Sequence, residues 1–262
     1  MKILIMTDLE GVAGYVSFDY DQASKNNEQG RRLLTAEVNA AIDGLLEAGA
    51  ADFLVIDGHG PGAIHYPDLH EAARLLHGRP LAPPSVRNDI IAQYDVTIII
   101  GQHAMAGVQQ GNLGHTQSSK AIDYYSLNGR LIGEIAQWAL YTGSFDIPLL
   151  FLSGDDTACT EVRELIPEIT TSAVKIGLSR NSAISLSHAA SCRLIHAGVK
   201  TALEKHRAHP VAPLCWDGPF VLEKRFFHTD AVDAARDKPG VEVVDSQTIR
   251  WRADNIRDII YR

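Results

Sequence analysis

Four short apolar runs in this chain each end on a side chain able to bind metal. Lys2-Ile-Leu-Ile-Met-Thr7 leads into Asp8-Leu-Glu10, and Phe53-Leu-Val-Ile56 into Asp57-Gly-His59. Val96-Thr-Ile-Ile-Ile100 leads into Gly101-Gln-His103, and Pro148-Leu-Leu-Phe-Leu152 into Ser153-Gly-Asp-Asp156. Runs that are apolar throughout, rather than alternating, predict strands buried on both faces of a sheet. Between the first two runs, Leu33, Leu34, Val38, Ala41, Ile42, Leu45 and Leu46 repeat at helical spacing until Gly49. A second helical pattern is expected from Pro67 through Leu69, Ala72, Ala73, Leu75 and Leu76 to Gly78. Tyr15 to Arg31 is polar and reads as a surface excursion, a lid or a subunit contact.

Further along, Ala104 to Lys120 predicts a long loop punctuated by Gly107, Gly111 and Gly114. Ile122–Leu127, Asn128-Gly129 and Arg130–Ile132 predict a hairpin with a tight turn. A helix follows from about Glu134 to Thr142, and Asp155-Asp156 opens another over Thr157 to Leu165. After Pro167 come a strand (Thr170 to Ile176) and a long helix (Ser187 to His206). Strands around Phe220 and Val243, with a short helix between them, and a helical tail complete the pattern. The expected fold is α/β, a mainly parallel sheet flanked by helices over residues 1–167, with a smaller C-terminal α+β subdomain over residues 168–262.

A hydrophobic content of 45% and a charged content of 21% are those of an ordinary globular protein. The net charge of −8, with basic residues scattered, argues against a nucleic-acid partner. No run approaches the ~18 apolar residues of a membrane span, and no secretory core is visible after Lys2. Cys159, Cys192 and Cys215 are few and odd in number and lack CxxC spacing, which reads as reduced thiols and a cytoplasmic location.

In open α/β sheets ligands bind outside the carboxyl ends of the strands, so side chains delivered there by separate strands converge. Asp8 and Glu10, at positions i and i+2, share a face of an extended strand. His59 and His103 end different strands, and with the two carboxylates they indicate a metal site. That donor set suits zinc and also admits manganese, cobalt or iron. His115, in the glycine-rich loop, is placed to meet substrate as a base or an acid, or is an exposed loop histidine. Asp155 and Asp156 reach the same sheet edge, but a helix cap accounts for them equally well.

The chain resembles the D-aminopeptidase family of dinuclear zinc peptidases. The likeness rests on Thr7-Asp-Leu-Glu-Gly-Val-Ala-Gly14, Gly30-Arg-Arg-Leu-Leu-Thr-Ala-Glu37, Asp57-Gly-His59, Gly101-Gln-His103, Gly114-His115, Leu127-Asn-Gly-Arg-Leu-Ile-Gly-Glu134 and Gly154-Asp-Asp156. It continues through Leu165-Ile-Pro167 and Thr171-Ser-Ala-Val-Lys175, about two-thirds of the chain, and weakens after Ser179. The resemblance implies that Asp8, Glu10, His59, His103 and Glu134 bind two zinc ions per subunit and that His115 is catalytic. Glu134 enters through the resemblance alone, because a first-turn Glu is ordinarily a helix-end stabiliser. Five such ligands exceed what one tetrahedral zinc takes from protein and suit an ion pair. The resemblance also implies a ring-shaped homo-oligomer, a decamer.

The expected function is cleavage of short peptides bearing an N-terminal D-residue, such as D-Ala-D-Ala, by a metal-bound hydroxide, with His115 moving a proton. The ligand set by itself also admits a two-metal phosphoesterase, another amidohydrolase, or a non-catalytic peptide-binding module.

Overall fold

The computed structural model describes residues 1–18 and 25–262. The apolar runs form the centre of a seven-stranded sheet in the order β3-β2-β1-β4-β7-β8-β9. These strands are β1 (Lys2–Thr7), β2 (Asp52–Asp57), β3 (Ala73–Leu76), β4 (Val96–Gln102), β7 (Leu149–Asp155), β8 (Thr170–Ser179) and β9 (Ser182–Ser185). All neighbours are parallel except the β8–β9 hairpin. Every residue of β4 and β7 is buried, which explains why those runs do not alternate. Ile3, Leu4, Ile5, Ile99 and Phe151 are fully buried, each such side chain contributing roughly 1.5–3 kcal/mol of transfer free energy.

Helices cover both faces. α1 (Lys25–Glu47) lies on β1 and β4 and packs along α5 (His188–Ala208), which also covers β7 and β8. α3 (Glu134–Gly143) and α4 (Asp156–Leu165) pack together against β7. The chain winds outward from β1 in one direction and from β4 in the other. Right-handed crossovers then place α1 and α4 on opposite faces. Trp138 Nε1 donates to Thr97 Oγ1 at 3.0 Å, tying α3 to the centre of β4.

A second sheet, entirely antiparallel, runs β11-β12-β10-β5-β6. It joins the hairpin β5 (Ile122–Leu127) and β6 (Arg130–Ile132) to β10 (Phe220–Phe226), β11 (Glu242–Val243) and β12 (Thr248–Ala253). The short α6 (Asp230–Asp233) lies between β10 and β11. Both sheets therefore draw strands from each side of residue 167. β8 and β9 extend the first sheet, and β10 pairs with β5 in the second.

Several expected elements differ. Residues from Pro67 to Gly78 are not a helix but a 3₁₀ turn at Tyr66–Asp68 followed by β3. The open edge of β2 offers Ala73–Leu76 a full row of backbone partners, and pairing there outweighs local helical spacing. The helix in this region is instead α2 (Pro84–Ile91), which begins on a proline. Within the expected excursion, Lys25 to Arg31 already belong to α1, with Asn27 and Gly30 buried, whereas 19–24 lie outside the described residues. The C-terminal tail forms β12 and one 3₁₀ turn at Ile256–Asp258 rather than a helix.

Where α1 crosses α5, a Cβ on Gly44 would collide with the backbone carbonyl of His196 and press on the Val199 side chain. A Gly44→Val substitution overpacks this crossing at a cost of about 1–3 kcal/mol. The unfolding temperature should fall by several degrees, as read by calorimetry, and an unaltered transition would mean that the helices are not in such close contact.

Candidate metal centre and active-site cavity

The strand order reverses between β1 and β4, the neighbours on which the chain winds in opposite directions, and the candidate site lies at their carboxyl ends. The two backbones meet unusually closely there. Asp8 N donates to Ile100 O at 2.9 Å, and Gly11 N donates to Gly101 O at 2.7 Å. A Cβ on Gly101 would strike the Asp8 carbonyl, and one on Gly11 the Gln102 carbonyl. Gly101 also has φ +81°, which a residue with a side chain rarely adopts. This contact places His103 Nε2 3.1 Å from Asp8 Oδ2.

β2 ends on the other side of β1. Its last residue, Asp57, accepts from Ala63 N at 2.9 Å and closes the following turn. The Arg79 guanidinium donates to the carbonyls of Asp57, His59 and Gly60, holding the turn from outside. His59 Nδ1 then sits 3.1 Å from Asp8 Oδ1 and 3.0 Å from Glu10 Oε2. Neither histidine is a strand residue proper: His59 lies in the turn past β2, and His103 immediately follows β4. Asp8 and Glu10 likewise lie just beyond β1.

Glu134, at the first position of α3, brings Oε1 to 3.6 Å from His103 Nε2 and accepts from Gln117 N at 2.7 Å. His115 Nε2 lies 4.0 Å from the same oxygen, and its ring stacks on His103 with centroids 4.1 Å apart. Phe18 meets the His115 ring edge-on with centroids 5.7 Å apart, and Arg180 donates to Gly114 O at 2.6 Å. His115 is thus clamped rather than loose, although the Ala104–Lys120 segment is a loop up to the start of β5 as expected.

The cluster gathers buried groups of both charge signs. Asp8, Glu10 and His103 are 6%, 4% and 1% exposed. Burial opposes a charged carboxylate at Asp8, yet His103 and His59 hold its pKa well below the ordinary value. Burial likewise disfavours the imidazolium forms, but Asp8 and Glu10 raise His59 to about 10 and Asp8 raises His103 strongly. Burial lifts Glu134 to about 7 against the pull of His103. Burial, reinforced by the His103 charge, drives His115 down to about 3, so its ring is neutral near pH 7.

Two overlapping triads, Asp8–Glu10–His103 and His103–His115–Glu134, each keep their donor atoms within 4.8 Å of one another. Glu10 Oε2 and His103 Nε2 are sealed from solvent and lack a well-formed hydrogen bond. His103 Nδ1 faces the Ala104 carbonyl at 2.8 Å, so that nitrogen carries a proton and Nε2 is directed at the acids. Backbone orientation of a ligand imidazole in this way is characteristic of metal sites. The donor set fits a divalent cation of the zinc type.

Supporting residues escaped the sequence analysis. Lys175 on β8 is 1% exposed, and its ammonium donates to Glu10 O, to Tyr15 O at 2.6 Å and to Asn112 Oδ1 at 2.7 Å. It thereby binds the segment after β1 to the loop carrying His115. Burial depresses its pKa to about 8, with Asp155 and Glu10 opposing. Glu37 on α1 accepts from Ala13 N at 3.2 Å, and Glu161 on α4 accepts from Met105 N at 2.8 Å. Gln102 Nε2 donates to Asp8 Oδ2 at 3.2 Å. A signal was available: Glu37 interrupts the apolar face of Leu34, Val38 and Ala41, as Lys175 interrupts Val174 and Ile176. Asp155 caps α4, accepting from Ala158 N at 2.7 Å, and Asp156 accepts from Gly177 N at 2.9 Å. Their side chains tether local backbone. Of the other histidines, His65, His70 and His196 pair with Asp68, Asp43 and Glu47 away from the site.

The cluster opens into a cavity of about 570 Å³, bordered also by Phe18, Arg87, Trp138 and Tyr141. Replacing Lys175 with Met leaves three inward-facing oxygens without their donor. Stability should fall by about 2–4 kcal/mol, given the cost of buried unsatisfied groups. Chemical denaturation measures that loss, and calorimetric titration should show weaker divalent-metal binding in the same variant. A variant as stable as the parent would remove Lys175 from this role.

The D-aminopeptidase family profile matches residues 1–261. A D-aminopeptidase of Bacillus subtilis (strain 168) is 31% identical over 260 residues, covering 98% of this chain and 93% of the relative. A solved structure described as the Zn-dependent D-aminopeptidase DppA from Bacillus subtilis, a self-compartmentalizing protease, is similar with a TM-score of 0.89. Its sequence identity is 29%, with 100% of this chain and 94% of that chain covered. Since the match runs through every element that positions the site, this chain belongs to the D-aminopeptidase family and is a metallo-aminopeptidase.

Proposed function

We propose that the chain is a zinc-dependent aminopeptidase acting on short peptides with an N-terminal D-residue, such as D-Ala-D-Ala. Asp8, Glu10, His59, His103 and Glu134 would hold two zinc ions. The observation that carries this reading is the convergence of three carboxylates and two imidazoles at the β1–β4 junction, with Glu10 Oε2 and His103 Nε2 sealed from solvent and facing one another's charged neighbours. Asp8 directs its two oxygens at different histidines, His59 and His103, so its carboxylate would serve both halves of the donor set. Zinc held by these residues would supply Lewis acidity toward a carbonyl oxygen and toward water.

The remaining work falls to the chain's own groups. His115 Nδ1 faces the Leu113 carbonyl at 2.9 Å and so carries the ring proton, leaving a lone pair on Nε2. That nitrogen takes up a proton during attack on the scissile carbonyl and returns it to the departing amine. The stacked His103 ring and the edge-on Phe18 ring hold the imidazole plane during both transfers. Water is favoured over His115 as nucleophile because the imidazole is held by its own backbone loop and by two aromatic contacts.

Assembly is part of the same reading. The structural neighbour is described as self-compartmentalizing, and we propose a ring-shaped homo-oligomer of ten chains here. Exposed Ile176, Leu178, Ile184 and Leu186 on and beside the β8–β9 hairpin support an intersubunit surface. The three unpaired cysteines suit the reducing cytoplasm proposed for the chain. Among the described residues no helix is long and apolar enough to cross a membrane.

Purified protein should release D-alanine from D-Ala-D-Ala, lose that activity to a chelator and regain it with zinc. Activity indifferent to chelation, or hydrolysis of aryl phosphates with the dipeptide left intact, would overturn the assignment. His115→Ala should retain zinc while kcat falls by about 10²–10⁴-fold, the usual worth of a positioned acid–base group. Light scattering should report a native mass ten times that of the chain, and a monodisperse smaller species would refute the decamer.

A further inference from the structure

The cavity that receives three carboxylates from the candidate metal cluster also receives a guanidinium that no carboxylate among the described residues matches. Arg87 projects from the middle of α2 and borders the same space as Asp8, Glu10 and Glu134. Its Nε donates to the Tyr141 hydroxyl at 3.3 Å, and the guanidinium lies 5.7 Å from the centre of the Tyr141 ring. Tyr141 in turn donates to Asn88 Oδ1 at 2.5 Å and packs edge-on to Tyr261, with ring centres 5.5 Å apart. These contacts hold one edge of the guanidinium. Among the described residues, neither Nη has a protein acceptor and no acid pairs with Arg87. Lys120, a second cation bordering the cavity, is already engaged in an interaction.

A held guanidinium with a free fork is the group best matched to a carboxylate, which it can bind through two parallel hydrogen bonds. A short peptide carries an ammonium at one end and a carboxylate at the other. An aminopeptidase cleaves the bond one residue from the ammonium, so the amino end lies at the metal cluster, and the carboxylate lies farther along the cavity, where Arg87 is a cation that borders it. The spacing is set by α3, whose Glu134, Trp138 and Tyr141 all border that space. Seven residues of helix separate Glu134 from Tyr141 by about 10 Å. An extended peptide covers about 3.3–3.6 Å per residue. A chain running from the acidic cluster toward Arg87 therefore ends within about three residues.

We propose that Arg87 anchors the free C-terminal carboxylate of the substrate, so that the enzyme selects short peptides with an unblocked C-terminus. This inference rests on the peptidase reading and adds to it a specificity-determining residue remote from the metal cluster. Arg87 takes no part in bond cleavage. It fixes the polarity with which the peptide lies in the cavity and limits its length.

The test compares peptides of two to four residues with N-terminal D-Ala, each as the free acid and as the C-terminal amide. The enzymes are the zinc-loaded wild type, Arg87→Met and Arg87→Lys. In the wild type the free acid should be preferred at one length or more. At that length Arg87→Met should lower the acid-to-amide ratio of kcat/KM by about 10- to 100-fold, the worth of a charge-assisted hydrogen bond. Most of the change should lie in KM, and Arg87→Lys should fall between the other two. Tyr141→Phe, which removes the acceptor for Arg87 Nε, should give a smaller drop in the same ratio and provides a second reading if Arg87→Met folds poorly. A wild type that cleaves acids and amides equally, or a ratio unmoved by the substitutions, overturns the Arg87 assignment while the peptidase reading stands. A wild type that cleaves no peptide in either form overturns both.

Discussion

The approach of β1 to β4 at their carboxyl ends is the constraint on which the site depends. Gly11 and Gly101 have no room for a side chain because each lies against a carbonyl of the opposite segment. The two hydrogen bonds across this junction hold Asp8 and His103 at contact distance. A methyl group at either glycine would separate the strands where the chain reverses its winding direction. Everything that reaches the cavity from β2, α3 and the His115 loop is arranged around that fixed pair.

Bringing three acids into so small a volume is electrostatically unfavourable, and the surrounding structure shows how it is managed. Without metal, His59 and His103 carry the compensating positive charge, held protonated by Asp8 and Glu10 despite their burial. A divalent cation held at the proposed centre would compete for those same lone pairs, which would couple its binding to proton release. Farther back, Lys175 places a buried ammonium against the Glu10 carbonyl, where it offsets negative potential and holds the loop at once. Glu37 and Glu161 answer backbone amides on the two flanking segments. The site is thus suspended from α1, α4 and β8 as well as from the strands that supply its ligands.

The antiparallel second sheet has a different task. Its β5–β6 hairpin delivers the chain directly to Gly133 and the first turn of α3, and so to Glu134. Gln137 on α3 accepts from Gln117 Nε2 and donates to Ile260 O, so the His115 loop, the helix and the C-terminus are joined through one amide. The far end of α3 meets Arg87 through Tyr141. One helix therefore links the chemistry of the acidic cluster to the cationic end of the cavity, and its pitch sets the distance between them.

What could be read from the chain alone follows from local periodicity. Uninterrupted apolar runs identified β1, β2, β4 and β7, and the Asn128-Gly129 turn identified the β5–β6 hairpin, because each signal is complete within a few residues. Asp8, Glu10, His59 and His103 stood out by their position after those runs. Other features were illegible because they are properties of two distant segments together. The β3 strand forms only because β2 offers an edge. Glu134 looks like any helix-opening acid until the hairpin aims it at His103, and Lys175 looks like a strand lysine until Glu10, Tyr15 and Asn112 surround it. Local sequence determined the strands and the chemical types at their ends. Tertiary structure alone decided which charges share a volume, because burial and Coulombic coupling depend on distances that no stretch of sequence encodes.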